Sequence, residues 1–276
     1  MQILENNNKN KSLTVSKCAN TINQSYGGYL KRKDFKTINF GGYFIDNKEE
    51  NIEPTTAGLV VDYLVRYKLT KNKKEAFEIP LIGAGILLDY YWHDPEYGNI
   101  LFNEAHRLLE NINLNLDDET IISACKITEY SIIYRVSPRE FDGVNLNHIT
   151  PNKRTIKQIR ELVNRSLNIF KKFGGVIDVG FDFKGAYTEQ ITNGDADFLS
   201  PKILWNMKNI KGDIGQNHTM QLLIYWRLGM KSEPNKFSKV KYLGIVNPRK
   251  NETYLYDLSN ISKELVEFID KEVIGY

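Results

Sequence analysis

Residues Gly194 to Tyr225 read GDADFLSPKILWNMKNIKGDIGQNHTMQLLIY. Ile203, Leu204 and Trp205 form an apolar run ahead of Lys208, and Gly194 and Pro201 punctuate the approach. That pattern predicts two adjacent strands in a hairpin. Strand period 2 then places Asn206 and Lys208 on one face, with Asp197 beside them on the neighbouring strand. A helix starting near Thr219 presents Gln221 and Tyr225 one turn apart on a common face. A carboxylate, an amide oxygen and an ammonium therefore converge at one place on the sheet.

Working outward, the strand signal continues on both sides. Downstream, residues 240 to 246 read as a strand, 247 to 251 as a turn, 253 to 258 as a last strand and 261 to 273 as a closing helix. Upstream, residues 176 to 183 alternate Asp178 and Asp182 against Ile177, Val179, Phe181 and Phe183, a strand with one acidic and one apolar face. A further strand is expected to end at the bend Asp195-Ala196-Asp197. Residues 155 to 173 carry Ile156, Ile159, Leu162, Val163 and Phe170 at helical spacing and close on Lys171, Lys172 and Gly174-Gly175, the ending expected of an amphipathic helix. Thr150-Pro151 reads as a boundary.

The preceding segment is helical. Pro54 followed by Thr55 and Thr56 starts a first helix bearing Leu59, Val60, Tyr63, Leu64 and Tyr67. A second spans 73 to 92 with a break at Pro80, and a third spans 100 to 112. A fourth runs from 120 to 134, with Asp117, Asp118 and Glu119 at its positive end. Met1 to Lys17 is Asn- and Lys-rich and reads as a frayed leader. Residues 18 to 43 hold paired glycines and the run Lys31-Arg32-Lys33, which either faces water or meets phosphate. The expected organisation is residues 1–52 as leader and irregular segment, 53–150 as a helical domain, and 151–276 as a sheet core of α+β or α/β class.

Composition limits the function classes. Lys+Arg 37 against Asp+Glu 34 leaves a net charge of +3, which neither demands nor excludes nucleic acid. The two cysteines, Cys18 and Cys125, are too few for a disulfide framework, a zinc site or an iron–sulfur cluster. No apolar run reaches membrane-spanning length and the N-terminus lacks signal-peptide features, so a cytoplasmic protein with reduced thiols is expected. His93, His106, His148 and His218 show no ligand spacing.

The Asp197, Asn206-x-Lys208 and Gln221-x-x-x-Tyr225 pattern resembles the PD-(D/E)XK nuclease superfamily, in particular its RecB-type branch with a QxxxY pair. The resemblance covers roughly the last 120 residues. It implies a restriction-endonuclease-like mixed sheet flanked by helices, in the order helix, three strands, helix, strand. It also implies hydrolysis of DNA phosphodiester bonds with Mg²⁺ or Mn²⁺, in a phage-defence or mobile-element setting. Asp197 corresponds to the first acid, Asn206 to the second, Lys208 to the lysine, and Gln221 and Tyr225 to the pair that positions the strand. Lys208 would orient and deprotonate the attacking water or offset charge on the phosphate.

The chain departs from the family in carrying Asn206 where the second acid belongs. An amide offers the metal an oxygen without a charge. Either the site is a natural degenerate one that binds without cutting, or another acid substitutes, or the asparagine was introduced deliberately. Asp195 and Glu189 are near in sequence. Glu161 matches the helix glutamate that reaches the metals in many of these nucleases. Gly58-Leu59-Val60-Val61-Asp62 resembles the branch's GxxxH motif with Asp62 in place of the histidine ligand. An ordinary exposed acid explains Glu161 or Asp62 equally. The alternative function is a catalytically lapsed nuclease fold that binds DNA, or a protein partner through its helical half.

Overall fold

The computed structural model of the chain describes residues 13–140 and 146–276. In chain order its helices are α1 (Val15–Thr21), α2 (Pro54–Thr70), α3 (Lys73–Ala76), α4 (Glu78–Tyr90), α5 (Pro95–Glu110) and α6 (Asp118–Thr128). They continue with α7 (Ser131–Arg135), α8 (Lys153–Lys172), α9 (Gln216–Ser232), α10 (Pro234–Phe237) and α11 (Lys263–Phe268). The strands are β1 (Leu13–Thr14), β2 (Lys36–Asn39), β3 (Asp178–Phe181), β4 (Ile191–Asn193), β5 (Ala196–Leu199), β6 (Ile203–Met207), β7 (Tyr242–Asn247) and β8 (Glu252–Asp257). Two compact units result. One comprises the described residues of 1–40, 170–247 and 252–276, and the other those of 41–169 and 248–251.

The first unit is built on a six-stranded mixed sheet in the order β2-β8-β7-β6-β5-β3. β3, β5 and β6 run antiparallel in turn, β7 lies parallel to β6, and β8 and β2 close the far side antiparallel. A parallel pair needs a crossover, and α9 supplies it between β6 and β7. Every residue of β6 is buried, as expected of a strand covered on both faces. On one face Leu199, Leu204, Leu243 and Ile245 join Met220, Leu223 and Leu228 of α9 in a single apolar cluster. On the other, Trp205 packs on Phe170 and Phe173, with ring centroids 5.9 and 5.1 Å away. Its indole N–H donates to Ser200 Oγ at 2.8 Å. Gly244, paired with Trp205 across the ladder, leaves that ring its room, since a Cβ there would sit 2.3 Å from it.

The hairpin, the α9 crossover, β7, the 248–251 turn and β8 follow the sequence reading. Several boundaries differ, each for a local reason. The segment read as a frayed leader to Lys17 is ordered from Leu13, because β1 pairs with β4 and Val15, Cys18 and Ala19 of α1 are buried. Met1 to Ser12 lie outside the described residues. β2 was hidden by its polar, largely exposed sequence at the sheet edge. Asp197 falls inside β5 rather than at its end. The break between α3 and α4 falls at Phe77, not Pro80. Pro80 sits in the first turn of α4, where a missing N–H is tolerated. α5 begins at Pro95, capped by Asp94, five residues before the expected start. The helix expected over 120–134 divides between Thr128 and Ser131. The last helix turns from α11 into a wider π winding over Ile269–Ile274.

The second unit is mainly helical. Tyr63 of α2 bonds Ser131 of α7 through their hydroxyls at 3.1 Å, and Gly83 of α4 lies against the Tyr130 carbonyl, where a Cβ would come within 2.0 Å. Its polar centre is the turn after β7. Arg249 donates twice to the Glu50 carboxylate, at 2.8 Å each, with both side chains 1% exposed. Arg165 donates to the carbonyls of Tyr43, Pro248 and Arg249. Removing one member of a buried pair strands the other's charge, a loss of about 3–5 kcal/mol. In urea titrations Glu50→Ala should therefore lower the unfolding free energy by that amount, and Glu50→Gln, which keeps one acceptor, by less.

Candidate functional site

The site is assembled on β5, β6 and α9, all within the sheet unit. The β5/β6 ladder pairs Leu199 with Leu204 and Phe198 with Trp205. Beyond it, the Met207 N–H donates to the Asp197 side-chain Oδ2 at 2.7 Å. The side chain of the first expected acid thus pins the end of β6. On that strand Asn206 and Lys208 do share a face, because both reach one atom of α9. Asn206 Nδ2 donates to Gln221 Oε1 at 3.0 Å, and Lys208 Nζ donates to the same oxygen at 2.9 Å.

Gln221 is then fully used. Its amide N–H groups donate to Ser16 Oγ at 2.9 Å and to the Tyr225 hydroxyl at 2.8 Å. An amide has two acceptor positions and two donor hydrogens, so all four are filled. The polarity of each bond fixes the orientation of the side chain. Tyr225 is 3% exposed and stacks on Phe183 with centroids 5.6 Å apart. Burial first, then the negative charges of Asp195 and Asp197, hold its hydroxyl well above the usual phenol pKa. The ring is therefore a neutral phenol, serving both the core and the network. Asp195 also raises the pKa of Tyr187, behind burial and Asp182, so its carboxylate lies within electrostatic reach of both tyrosines.

Asn206 is 1% exposed, and its Oδ1 is buried with no hydrogen-bond partner. An orphaned buried acceptor costs about 1–3 kcal/mol. It is also a hard oxygen of the kind a divalent cation takes. With the Asp197 carboxylate on the next strand, it makes a donor pair of one charged and one neutral oxygen. Among the described residues no group of three or more His, Cys, Asp or Glu side chains is arranged to hold a metal.

The other two candidate acids belong to the helical unit, and each is paired there. Asp62 lies 2.9 Å from Arg66 one turn on along α2, and Glu161 lies 2.9 Å from Arg165 along α8. The sequence reading brought together Asp197, Asn206, Lys208, Gln221 and Tyr225, and it missed Ser16. A serine in an Asn- and Lys-rich stretch carries no signal of its own. Only the neighbouring Thr14, whose side chain accepts the Lys17 N–H to cap α1, marks an ordered start. Both cysteines are free and buried, and burial pushes their thiols up to about 11 for Cys18 and about 12 for Cys125.

His218 sets the start of α9, three residues ahead of the expected Thr219. Its Nδ1 accepts the Gly215 N–H at 3.1 Å, a role that requires the neutral ring. Burial, then the charge of Lys208, push its pKa down to about 4. In the unfolded chain a histidine titrates near 6.5. Between those values the unfolded chain binds the extra proton, so stability is present above pH 6.5 and is lost as pH falls toward 4. Thermal melts across that window should show a steeper fall for the natural chain than for His218→Asn. No protein-family model, curated protein or solved structure matches the chain.

Proposed function

We propose that the sheet unit is a PD-(D/E)XK-type nuclease core, acting on DNA phosphodiester bonds with a divalent cation and attenuated by Asn206. The observation that carries this reading is the single network through Gln221. It joins Asn206 and Lys208 of one strand to the QxxxY helix, with Asp197 bound to the same strand end. The element order α8, β3, β5, β6, α9, β7 supports it, being helix, three strands, helix, strand once the short β4 excursion is set aside. So does the buried, unpartnered Asn206 Oδ1.

Hydrolysis of a phosphodiester requires an activated water, charge neutralisation at the phosphoryl oxygens and a stabilised leaving oxygen. Asp197 and Asn206 would hold the cation, and Asp195, which acts on Tyr225 together with Asp197, would add charge. A bound Mg²⁺ or Mn²⁺ supplies a lowered pKa for its water and neutralises phosphate charge. Lys208, held by Gln221, presents an ammonium to the developing negative charge. Gln221 and Tyr225 act here as positioning residues, since their hydrogen bonds go to the network itself. Ser16 closes that network from α1.

The lapsed-nuclease reading is favoured by one fact, the missing second carboxylate. The two part in a cleavage assay on linear, nicked and single-stranded DNA with Mg²⁺ or Mn²⁺. Asn206→Asp restores a charged ligand and should raise cutting by roughly 10- to 100-fold or more, and Lys208→Ala in that background should abolish it. A folded Asn206→Asp protein that cuts none of these substrates with either ion would contradict the nuclease reading. If that protein still binds DNA, the binding-only alternative is favoured.

A further inference from the structure

A pocket of about 530 Å³ lies at the first turn of α9, lined by Tyr26, Lys31, Arg32 and Lys33 with Gly215 and Gln216 of the helix start. No carboxylate lines it. Among the described residues, none of the three cations makes an ion pair. Arg32 is fixed in place instead. Its Nη2 donates to Thr37 Oγ1 at 2.9 Å, its guanidinium lies 4.4 Å over the Tyr254 ring, and its buried Nε has no partner. The nearby Glu252 is engaged elsewhere, accepting from Asn39 through one oxygen and from the Tyr254 hydroxyl through the other.

The segment bearing these cations is fastened to α9. Asn217 Nδ2 donates to Asn20 Oδ1 at 2.9 Å, and Gln24 Nε2 donates to the Gln216 carbonyl at 3.4 Å. Gly28, with φ +79°, approaches the helix so closely that a Cβ would lie 2.8 Å from Gln216 Cβ. A short 3₁₀ turn over Arg32–Asp34, with Lys31 at its cap position, then sets three successive cations around the opening. Tyr26 stands beside them fully exposed, at 101%. An exposed aromatic ring next to cations that form no ion pair is the pairing that single-stranded nucleic acid recognises through its bases and phosphates.

We propose that this pocket is a second anchoring point for the DNA strand held at the Asp197–Lys208 site, an inference that rests on the nuclease reading. Lys31, Arg32 and Lys33 hold a backbone phosphate, the positive end of α9 adds to the attraction, and Tyr26 stacks on an unpaired base. Gln216 and Gln221 are five residues apart on the same helix, about 7.5 Å along its axis. A strand that also turns about 140° around the helix, from the face of Gln216 to that of Gln221, takes both sites.

The test measures binding of a fluorescent single-stranded 20-mer and its duplex to the full chain in EDTA, as a function of salt. Lys31→Ala/Lys33→Ala should weaken both several-fold and reduce the slope of log K against log salt by about 0.7 per lost contact on the single strand. Tyr26→Ala should weaken the single strand more than the duplex. Lys31→Glu/Lys33→Glu, checked for an unchanged melting curve, should abolish binding at moderate salt. Affinity and slope unchanged in the double variants would overturn the proposal, as would a natural chain that binds neither probe. If the variants lose binding as stated while Asn206→Asp cuts nothing, the anchoring site stands and the nuclease reading alone falls.

Discussion

One side-chain amide organises the sheet unit. Gln221 accepts from Asn206 and Lys208 and donates to Ser16 and Tyr225. The amide is partly buried, and its four bonds tie β6, the start of α1 and α9 to one another. Strand β6, helix α9 and the start of α1 are thereby held in a single register. The ammonium of Lys208 cannot wander as a surface lysine does, because its acceptor is itself immobilised. Preorganisation of this kind is what a charge-stabilising group needs if it is to act without reordering during the reaction.

The exception within that network is informative. Asn206 satisfies its N–H side and leaves Oδ1 buried and alone. A purely structural asparagine would be expected to find a donor for that oxygen or to give way to an apolar residue. Together with the Asp197 carboxylate across the hairpin, the orphan oxygen is the group that the proposed cation would satisfy. Trp205, adjacent to Asn206 in sequence, is wedged on the opposite face among Phe170, Phe173 and the space left by Gly244. This fixes the strand's rotation, and with it the direction of the asparagine.

Much of this was legible in the chain because it depends on short-range pattern. An apolar run before Lys208 gives a strand, period 2 gives the shared face of Asn206 and Lys208, and spacing of four gives the Gln221–Tyr225 pair. The parts that were not legible depend on distant partners. Ser16 gains its role only when α1 meets α9, about 200 residues on in sequence. β2 has an edge strand's polar sequence and is recognisable only by its pairing with β8. The helix boundaries at Phe77 and between Thr128 and Ser131 follow from packing, where proline and capping rules had little to say. Glu161 and Asp62 were attractive as spare acids because sequence shows a carboxylate's position but not the arginine one turn away that engages it.

In the proposed reaction Asp197 and Asn206 jointly grip a cation beside Lys208. The most direct measurement of that grip is a Mn²⁺ titration of ¹⁵N-labelled protein followed by NMR. Paramagnetic broadening should strike the Asn206 side-chain amide and the Met207 backbone amide first, then the Gln221 side chain, at sub-stoichiometric metal. Broadening that begins elsewhere on the chain, or that leaves those resonances sharp at excess metal, would contradict it.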